Sequence, residues 1–172
     1  ALTYWFSELD ALWGIPNPAQ WHPEIDTGIH TLMVIEQSSK LSNDPCTRFA
    51  ALCHDLGKGI TASDKLPSHP GHEKSGLPLV EELCRRLKTP KDYLQLAKLG
   101  CEFHLHLHKI EELKASTIVK VLERCDAFRK PQRFEQFLLV CEADYRGRLG
   151  FEEREYPQAD KMRQALAACQ TV

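Results

Sequence analysis

The stretch "FAALCHDLGKGI" (Phe49–Ile60) begins as an apolar helical run, places His54 beside Asp55, and ends in Gly-Lys-Gly. Adjacent residues on a helix point ~100° apart, yet an imidazole and a carboxylate can converge on an ion that lies between them. Lys58 follows Asp55 by three residues, so its ammonium group reaches the same side. A plainer interpretation is that Lys58 complements the negative helix end and that Gly57 caps it. The stretch alone leaves both interpretations open.

Around this stretch, almost every segment repeats its apolar residues with a helical period. Thr27 is the expected cap of a helix over 29–41, Asp44-Pro45 opens the next helix, and Gly57 ends it. No segment alternates apolar and polar residues as a half-buried strand does. The sequence therefore predicts an all-α fold, a single domain with short flanking helices. The other helices are predicted over 2–13, 72–88, 90–107, 115–127, 131–146 and 158–170, with loops over 15–28 and 60–70.

Length, charge and cysteine content narrow the classes of function. The 172 residues suffice for one domain with a substantial core. With 22 basic and 24 acidic residues the net charge is −2, so any nucleic-acid contact has to come from a local patch. No apolar run approaches the ~18 residues of a membrane span. The seven cysteines occur singly and without a CxxC pair, which is typical of reduced thiols in a cytoplasmic protein.

Two further polar side chains interrupt apolar helical patterns. His30 lies within "GIHTLMVIE", and Asp144 lies near the end of "FLLVCEADYRGR". A buried imidazole or carboxylate needs a partner, and both residues satisfy this need best around a cation shared with His54 and Asp55. Such a His₂Asp₂ set suits a divalent transition metal or an ion of the Mg²⁺/Mn²⁺ type. An ordinary buried ion-pair network is the alternative.

The order His30, then His54-Asp55 in "HDLGK", then Asp144 resembles the H…HD…D signature of the HD superfamily of metal-dependent phosphohydrolases, which are all-helical domains. A narrower resemblance covers nearly the whole chain. The phrases "ALWGIPNPAQWHPEIDTGIHTL", "ALCHDLGKGIT", "DAFRKPQRFEQF", "EADYRGRLGFE" and "YPQADKMRQA" are similar to the C-terminal HD region of bacterial CCA-adding tRNA nucleotidyltransferases of the gammaproteobacterial kind.

This resemblance implies a division of the chain and a set of activities. Residues 27–146 would form the HD phosphohydrolase domain, 1–26 a helix and Pro-rich loop that follow an upstream region, and 147–172 a helical extension. The implied activities are 2′,3′-cyclic phosphodiesterase, 2′-nucleotidase and phosphatase, with Mg²⁺, Mn²⁺ or Ni²⁺ as cofactor. The substrates would be a tRNA 3′ end or 2′,3′-cyclic and 2′ nucleotides.

The resemblance also implies a partner domain. The N-terminal nucleotidyltransferase domain of the family is absent from this chain, which opens without Met and within a helical pattern, so we expect a fragment of a longer protein. The sequence contains no Asp-x-Asp, the carboxylate pair that holds Mg²⁺ in a nucleotidyl-transfer site. We therefore do not expect this chain alone to add nucleotides.

Individual roles follow from the match to the HD signature. The metal ligands would be His30, His54, Asp55 and Asp144. Asp55 and Lys58 would be catalytic, with Lys58 offsetting charge on the phosphoryl oxygens.

Two further histidines match positions at which binuclear relatives have additional histidines. His72 and His104 are therefore candidates for a second metal or for substrate, with a helix cap as the alternative for His72. Within "HLHLH", His104 and His108 share a helix face, whereas His106 is expected to point to solvent.

Basic residues suggest phosphate or RNA contacts. Arg146 and Arg148 follow Asp144, although basic residues at a helix end also suit its dipole. The segment 126–136 places Arg129 and Arg133 among aromatic residues, which favours a non-catalytic tRNA-docking module as a second hypothesis; solvated residues at a helix junction are the alternative. A stand-alone HD nucleotidase that acts on free nucleotides is a third hypothesis.

Overall fold

The structure, a computed structural model, describes residues 2–171, which fold into a bundle of α-helices. Within that range there is no β-strand, and the single β-type pairing is an isolated bridge between Pro16 and Asp26. The predicted all-α fold is confirmed. The helices are α1 (Leu2–Trp5), α2 (Ser7–Asp10), α3 (Thr27–Leu41), α4 (Pro45–Cys53), α5 (His72–Leu87), α6 (Lys91–His108), α7 (Ala115–Arg124), α8 (Pro131–Arg146) and α9 (Pro157–Gln170).

The N-terminal segment differs from its prediction, because the continuous helix over 2–13 is wrong. The backbone of Phe6 leaves the helical region (φ −131°, ψ 41°) between the two short helices α1 and α2. Turns follow α2, and there the carboxylate of Asp26 accepts a hydrogen bond from the Gly14 amide at 2.6 Å. The division into 1–26, 27–146 and 147–172 stays a prediction, and residues 1 and 172 lie outside the described part.

The caps of α3 and α4 decide where these two helices begin. Thr27 is not the cap of α3: it is the first helical residue, and its hydroxyl donates to the Ile15 carbonyl at 2.8 Å. Asp26 takes the cap position instead and accepts from the Ile29 amide at 2.9 Å. The predicted cap of α4 is confirmed, since Asp44 accepts from the second and third amides of that helix.

The end of α4 corrects the role predicted for Gly57. The helix ends at Cys53, and a 3₁₀ helix over Leu56–Ile60 follows. A Cβ atom on Gly57 would lie 2.0 Å from the His72 carbonyl oxygen and 2.7 Å from the Gly76 amide nitrogen. Gly57 therefore allows a close backbone approach, which presses the turn containing His54 and Asp55 against the start of α5.

The core lies where α4, α6 and α8 pack together, with α5 against α6 and α3 against α4 and α8. Its largest fully buried side chains include Phe134 and Phe137 of α8, Leu83 of α5 and Leu96 of α6. The flanking segments join the same core, because Leu12 and the segment around α9 contribute buried side chains to it. The bundle thus brings the C-terminal ends of α4, α6 and α8 together.

The composition predicts reduced thiols and no membrane span. All seven cysteines are free; six are buried, and Cys169 is partly exposed. Among the helices within residues 2–171, none has both the length and the apolar character needed to cross a bilayer.

The close approach at Gly57 generates the first prediction. Gly57→Ala should lower the free energy of unfolding by roughly 3 kcal/mol or more, because the new methyl group meets backbone atoms that cannot rotate away. Gly150→Ala is the control, since Gly150 has φ +83° in open space and should lose only about 1–2 kcal/mol. Urea denaturation followed by far-UV circular dichroism measures both; equal losses would contradict the close-approach interpretation.

Candidate metal centre

Asp55 lies at the centre of a group of buried histidines. It lies two residues beyond the end of α4, and it is 1% exposed. One of its oxygens, Oδ2, lies 3.2 Å from His54 Nε2 and 2.7 Å from Lys58 Nζ. The other, Oδ1, lies 3.3 Å from His72 Nε2 and 3.6 Å from His104 Nε2. The two oxygens of one carboxylate therefore face two different groups of nitrogen atoms.

The first of these groups, which we call the first ligand set, contains His30, His54, Asp55 and Asp144. His30 comes from the first turn of α3, and Asp144 comes from the last turn of α8. Asp144 Oδ1 lies 2.9 Å from His30 Nε2 and 3.5 Å from His54 Nε2. Asp55 Oδ2 lies 3.9 Å from His30 Nε2. The structure thus brings together the four side chains that the sequence proposes as ligands.

The second ligand set contains Asp55, His72 and His104. His72 begins α5 and His104 lies in the last two turns of α6, and both are buried. Their Nε2 atoms and Asp55 Oδ1 lie within 4.8 Å of one another. Asp55 therefore belongs to both sets, one oxygen to each.

Backbone carbonyl groups fix the orientation of these histidines. A carbonyl oxygen can only accept, so each Nδ1 that contacts one carries the hydrogen and leaves the Nε2 lone pair free in a neutral ring. The Nδ1 atom of His30 lies 3.2 Å from the Gly147 oxygen. The same arrangement holds for His54 with the Ala51 oxygen at 2.7 Å, His72 with the His69 oxygen at 2.9 Å, and His104 with the Gly100 oxygen at 2.9 Å.

The donor atoms fit a divalent cation. Atoms bound ~2.1 Å from one ion lie about 3.0–3.4 Å apart at right or tetrahedral angles, close to most of the separations above. Three of the donor atoms are buried and form no hydrogen bond within the described residues: His54 Nε2, His72 Nε2 and Asp55 Oδ1. His54 Nε2 and His72 Nε2 lie within ion-pair distance of Asp55, at 3.2 and 3.3 Å, but without hydrogen-bond geometry. A plain ion-pair network therefore leaves the three atoms without hydrogen bonds, which is costly in a protein interior.

The electrostatics of the group also favour positive charge between the carboxylates. Burial works against charge on His54, but Asp55 and Asp144 outweigh it and raise the pKa of His54 to about 10. Burial likewise works against charge on Asp55, yet His54 and Lys58 hold the pKa of its carboxyl well below the usual range. The pKa of Asp144 is lowered in the same way, chiefly by His54 and His108 acting against burial.

A third buried carboxylate, that of Glu24, contacts His30 on the side of the ring that faces away from the first ligand set. Glu24 Oε1 accepts a hydrogen bond from His22 Nδ1 at 2.8 Å and lies 2.9 Å from His30 Nδ1. Its other oxygen accepts from the Leu149 amide at 3.2 Å. Burial, the largest influence, lowers the pKa of His22 to about 4, so this ring is neutral near pH 7. Sequence reasoning missed both residues because they lie in a loop without periodicity.

His108 also contacts the group, although the sequence analysis proposed no role for it. Its Nε2 atom lies 2.7 Å from Asp144 Oδ2, and its Nδ1 atom lies 2.8 Å from the Tyr156 hydroxyl. The four-residue spacing from His104 was a usable signal, since it puts both rings on one face of α6. The expectation that His106 points to solvent is wrong: this residue is half-buried, and its ring packs 5.4 Å from that of Phe103.

Arg146 and Arg148, the first pair of predicted phosphate-contacting residues, lie just beyond Asp144. Arg146 forms an ion pair with Glu142 at 2.7 Å, one turn earlier on α8. The Arg148 guanidinium lies 5.5 Å from the centre of the Tyr145 ring. Both side chains are half-buried, and their roles stay proposals.

Arg129 and Arg133 lie elsewhere, at a surface cavity of about 590 Å³ near the starts of α4, α6 and α8. None of the residues that line this cavity belongs to either ligand set. Asp126 partly neutralises both side chains, at 2.7 Å from Arg129 and 3.6 Å from Arg133. Phe134 is buried in the core and cannot stack on a base, whereas Phe128 is exposed.

The sequence of the chain is similar to one protein family and to several curated proteins. The HD domain family profile matches residues 27–129. The chain is 58% identical over 172 residues to the Multifunctional CCA protein of Pseudoalteromonas atlantica, which covers 100% of this chain and 42% of that protein. The protein of the same name from Thioalkalivibrio sulfidiphilus is 55% identical over 169 residues (98% and 41%), and that from Haemophilus influenzae is 49% identical over 178 residues (100% and 43%).

These matches confirm both resemblances noted in the sequence. The chain spans about two fifths of the length of these curated relatives. No solved structure matches the chain significantly.

The ligand sets generate the second prediction. Mn²⁺ at 100 times its Kd should stabilise the protein by about 2.7 kcal/mol, which corresponds to a rise in Tm of ~5–10 °C. Asp55→Asn should abolish this rise, because it removes a charged donor from both sets. Thermal unfolding followed by circular dichroism measures the effect. Asp64→Asn, at an exposed aspartate, should keep it; an unaltered rise in Asp55→Asn would exclude the site.

Proposed function

The chain belongs to the HD domain family, and from this premise we propose that it is a metal-dependent phosphohydrolase whose centre consists of the two ligand sets. One observation supports this most strongly: buried imidazole and carboxylate atoms from α3, α5, α6, α8 and the turn after α4 converge, and His54 Nε2, His72 Nε2 and Asp55 Oδ1 have no hydrogen-bond partner among the described residues. In this proposal His30, His54, Asp55 and Asp144 hold one divalent ion, and Asp55, His72 and His104 hold a second.

The chemistry of such a site is phosphate-ester hydrolysis. Mg²⁺, Mn²⁺ or Ni²⁺ bound there would supply Lewis acidity and an activated water molecule near neutral pH. The protein supplies orientation: the carbonyl-bound histidines present Nε2, and the two oxygens of Asp55 serve different sets. Burial excludes bulk water, which strengthens every charge interaction inside the site.

Lys58 is the proposed phosphate-binding cation. It is only 6% exposed, and its Nζ atom lies 2.7 Å from Asp55 Oδ2, at the edge of the first ligand set. A buried ammonium group in this position offsets the negative charge that develops on phosphoryl oxygens during displacement. Arg148, a half-buried residue just beyond the C-terminal end of α8, is a second candidate for phosphate contact.

We further propose that the substrates are 2′,3′-cyclic or 2′ phosphates of nucleotides or of a tRNA 3′ end, and that the chain acts in the cytoplasm as part of a longer tRNA-processing protein. The similarity to Multifunctional CCA proteins supports this. The exposed apolar side chains near the N-terminus also suit contact with further protein. Of the large apolar side chains that are exposed in the described residues, most lie between positions 4 and 32: Tyr4, Trp5, Trp13, Trp21, Ile25, Ile29 and Leu32.

A tRNA-docking role remains a second proposal, and it is compatible with hydrolysis. The exposed side chains of Arg129 and Lys130 at the 590 Å³ cavity support it, whereas the pairing of Arg129 with Asp126 and the burial of Phe134 weaken it. Such a surface would bind the phosphate backbone rather than stack on bases.

The third prediction tests the hydrolytic proposal with 2′,3′-cyclic AMP as substrate. Lys58→Met should lower kcat by about 10²–10³-fold while Mn²⁺ binding persists, because Lys58 is not a ligand in the proposal. His54→Ala should abolish both activity and the Mn²⁺-dependent rise in Tm. Lys65→Met, at an exposed lysine, should match the wild type. Full activity in His54→Ala would refute the proposal, and hydrolysis of free nucleotides but not of tRNA ends would favour a stand-alone nucleotidase.

The fourth prediction concerns docking. If the cavity binds tRNA, the combined Arg129→Ala and Lys130→Ala variant should bind it more weakly and reduce the slope of log K against log salt by about 1 per lost phosphate contact. Lys120→Ala, at an exposed lysine of α7, is the control. Fluorescence anisotropy with labelled tRNA at several salt concentrations measures the slopes. Identical slopes for both variants would contradict tRNA binding at the cavity.

A further inference from the structure

Tyr156 lies outside the region that the family profile matches, yet its hydroxyl belongs to the contacts around the first ligand set. It precedes α9 directly and is buried, and its ring lies 5.7 Å from that of His108. The hydroxyl lies 2.8 Å from His108 Nδ1, and His108 Nε2 lies 2.7 Å from Asp144 Oδ2. A continuous chain of contacts therefore runs from the C-terminal segment to a proposed ligand.

The direction of these hydrogen bonds follows from donor and acceptor chemistry. The carboxylate of Asp144 can only accept, so His108 Nε2 carries a hydrogen. In a neutral ring His108 Nδ1 is then the acceptor, and the Tyr156 hydroxyl donates to it. His108 thus has the opposite tautomer to His30, His54, His72 and His104, whose Nδ1 atoms contact backbone carbonyls.

This opposite tautomer has a structural consequence for Asp144. His108 occupies Oδ2, while Oδ1 faces His30 Nε2 at 2.9 Å and His54 Nε2 at 3.5 Å. One oxygen of the carboxylate is therefore engaged outside the first ligand set, and the other points into it. Without the Tyr156 hydroxyl, His108 could rotate or adopt the other tautomer, and Asp144 would lose the contact that orients it.

On the basis of the proposed function, we propose that Tyr156 is a positioning residue of the metal centre, which acts through His108 to keep Asp144 Oδ1 directed at the ion of the first ligand set. Hydrogen-bond partners of this outer kind commonly change metal affinity when they are removed. The segment around Tyr156 is then part of the site, and its docking through buried Ala159 and Met162 of α9 serves ion binding as well as folding.

The test compares Tyr156→Phe with Tyr145→Phe in the 172-residue chain. Both variants remove one hydroxyl from neighbouring rings, whose centres are 5.1 Å apart, but of the two hydroxyls it is that of Tyr156 that contacts His108. Titration calorimetry should give a Kd for Mn²⁺ raised by about 10–100-fold in Tyr156→Phe and by less than about 2-fold in Tyr145→Phe, where the outer contact is retained. If two Mn²⁺ ions bind, Tyr156→Phe should raise the Kd of one of them and leave the other Kd unchanged, because Asp144 is absent from the second ligand set.

A second measurement does not depend on bound metal. ¹⁵N NMR of the chelator-treated wild type should show His108 with hydrogen on Nε2. In Tyr156→Phe a second population of His108, with hydrogen on Nδ1, should appear, while the circular dichroism spectrum stays that of the native protein. Hydrogen on Nδ1 in the wild type, or equal Kd values in the two variants, would overturn the assignment. If the wild type binds no Mn²⁺, the proposed function fails, and the NMR result alone decides whether Tyr156 positions His108.

Discussion

The burial of Asp55 is the constraint on which the site depends. Its carboxylate is removed from water, and imidazole nitrogens and an ammonium group take the place of solvent around both oxygens. An isolated carboxylate in an apolar interior would be neutralised or would destabilise the fold. Here the surrounding cations hold its pKa well below the usual range, so the negative charge persists. The fold therefore maintains a buried negative charge that positive charge has to balance, either a proton on His54 or a bound cation.

The backbone enforces this arrangement by close approach rather than by loop flexibility. Gly57 lets the turn after α4 touch the first turn of α5, and that contact places His72 opposite Asp55. Gly147 has a matching role at the end of α8: a Cβ there would lie 2.5 Å from the Val34 side chain, and its carbonyl faces His30 Nδ1. His72 and His30, two of the proposed ligands, are thus positioned by packing between helices, which gives the precision that a metal site needs.

Polar residues that interrupt an apolar helical pattern are the part of the site that the sequence predicts. His30 and Asp144 were identified in this way, and the helices from α3 onward lie within a few residues of their predictions, because long amphipathic periods are strong signals. The prediction that Gly57 ends α4 is wrong, since the sequence alone does not distinguish a glycine that ends a helix from one that touches a neighbouring helix. Glu24 and Tyr156 were missed because both lie in loops, where only the tertiary fold determines which side chains meet.

Trp5, Trp13 and Trp21 account for all the tryptophan in the chain and belong to its first 21 residues. They are 50, 49 and 60% exposed, respectively. Trp13 lies over Gly28, so close that a Cβ on that glycine would be 2.5 Å from the indole. Intrinsic emission from this protein therefore reports on how the N-terminal segment lies against α3, while the core and the buried histidines contribute no indole signal of their own. A spectroscopist would see that segment detach as a red shift and quenching of the tryptophan emission, to which the remainder of the molecule adds only tyrosine emission.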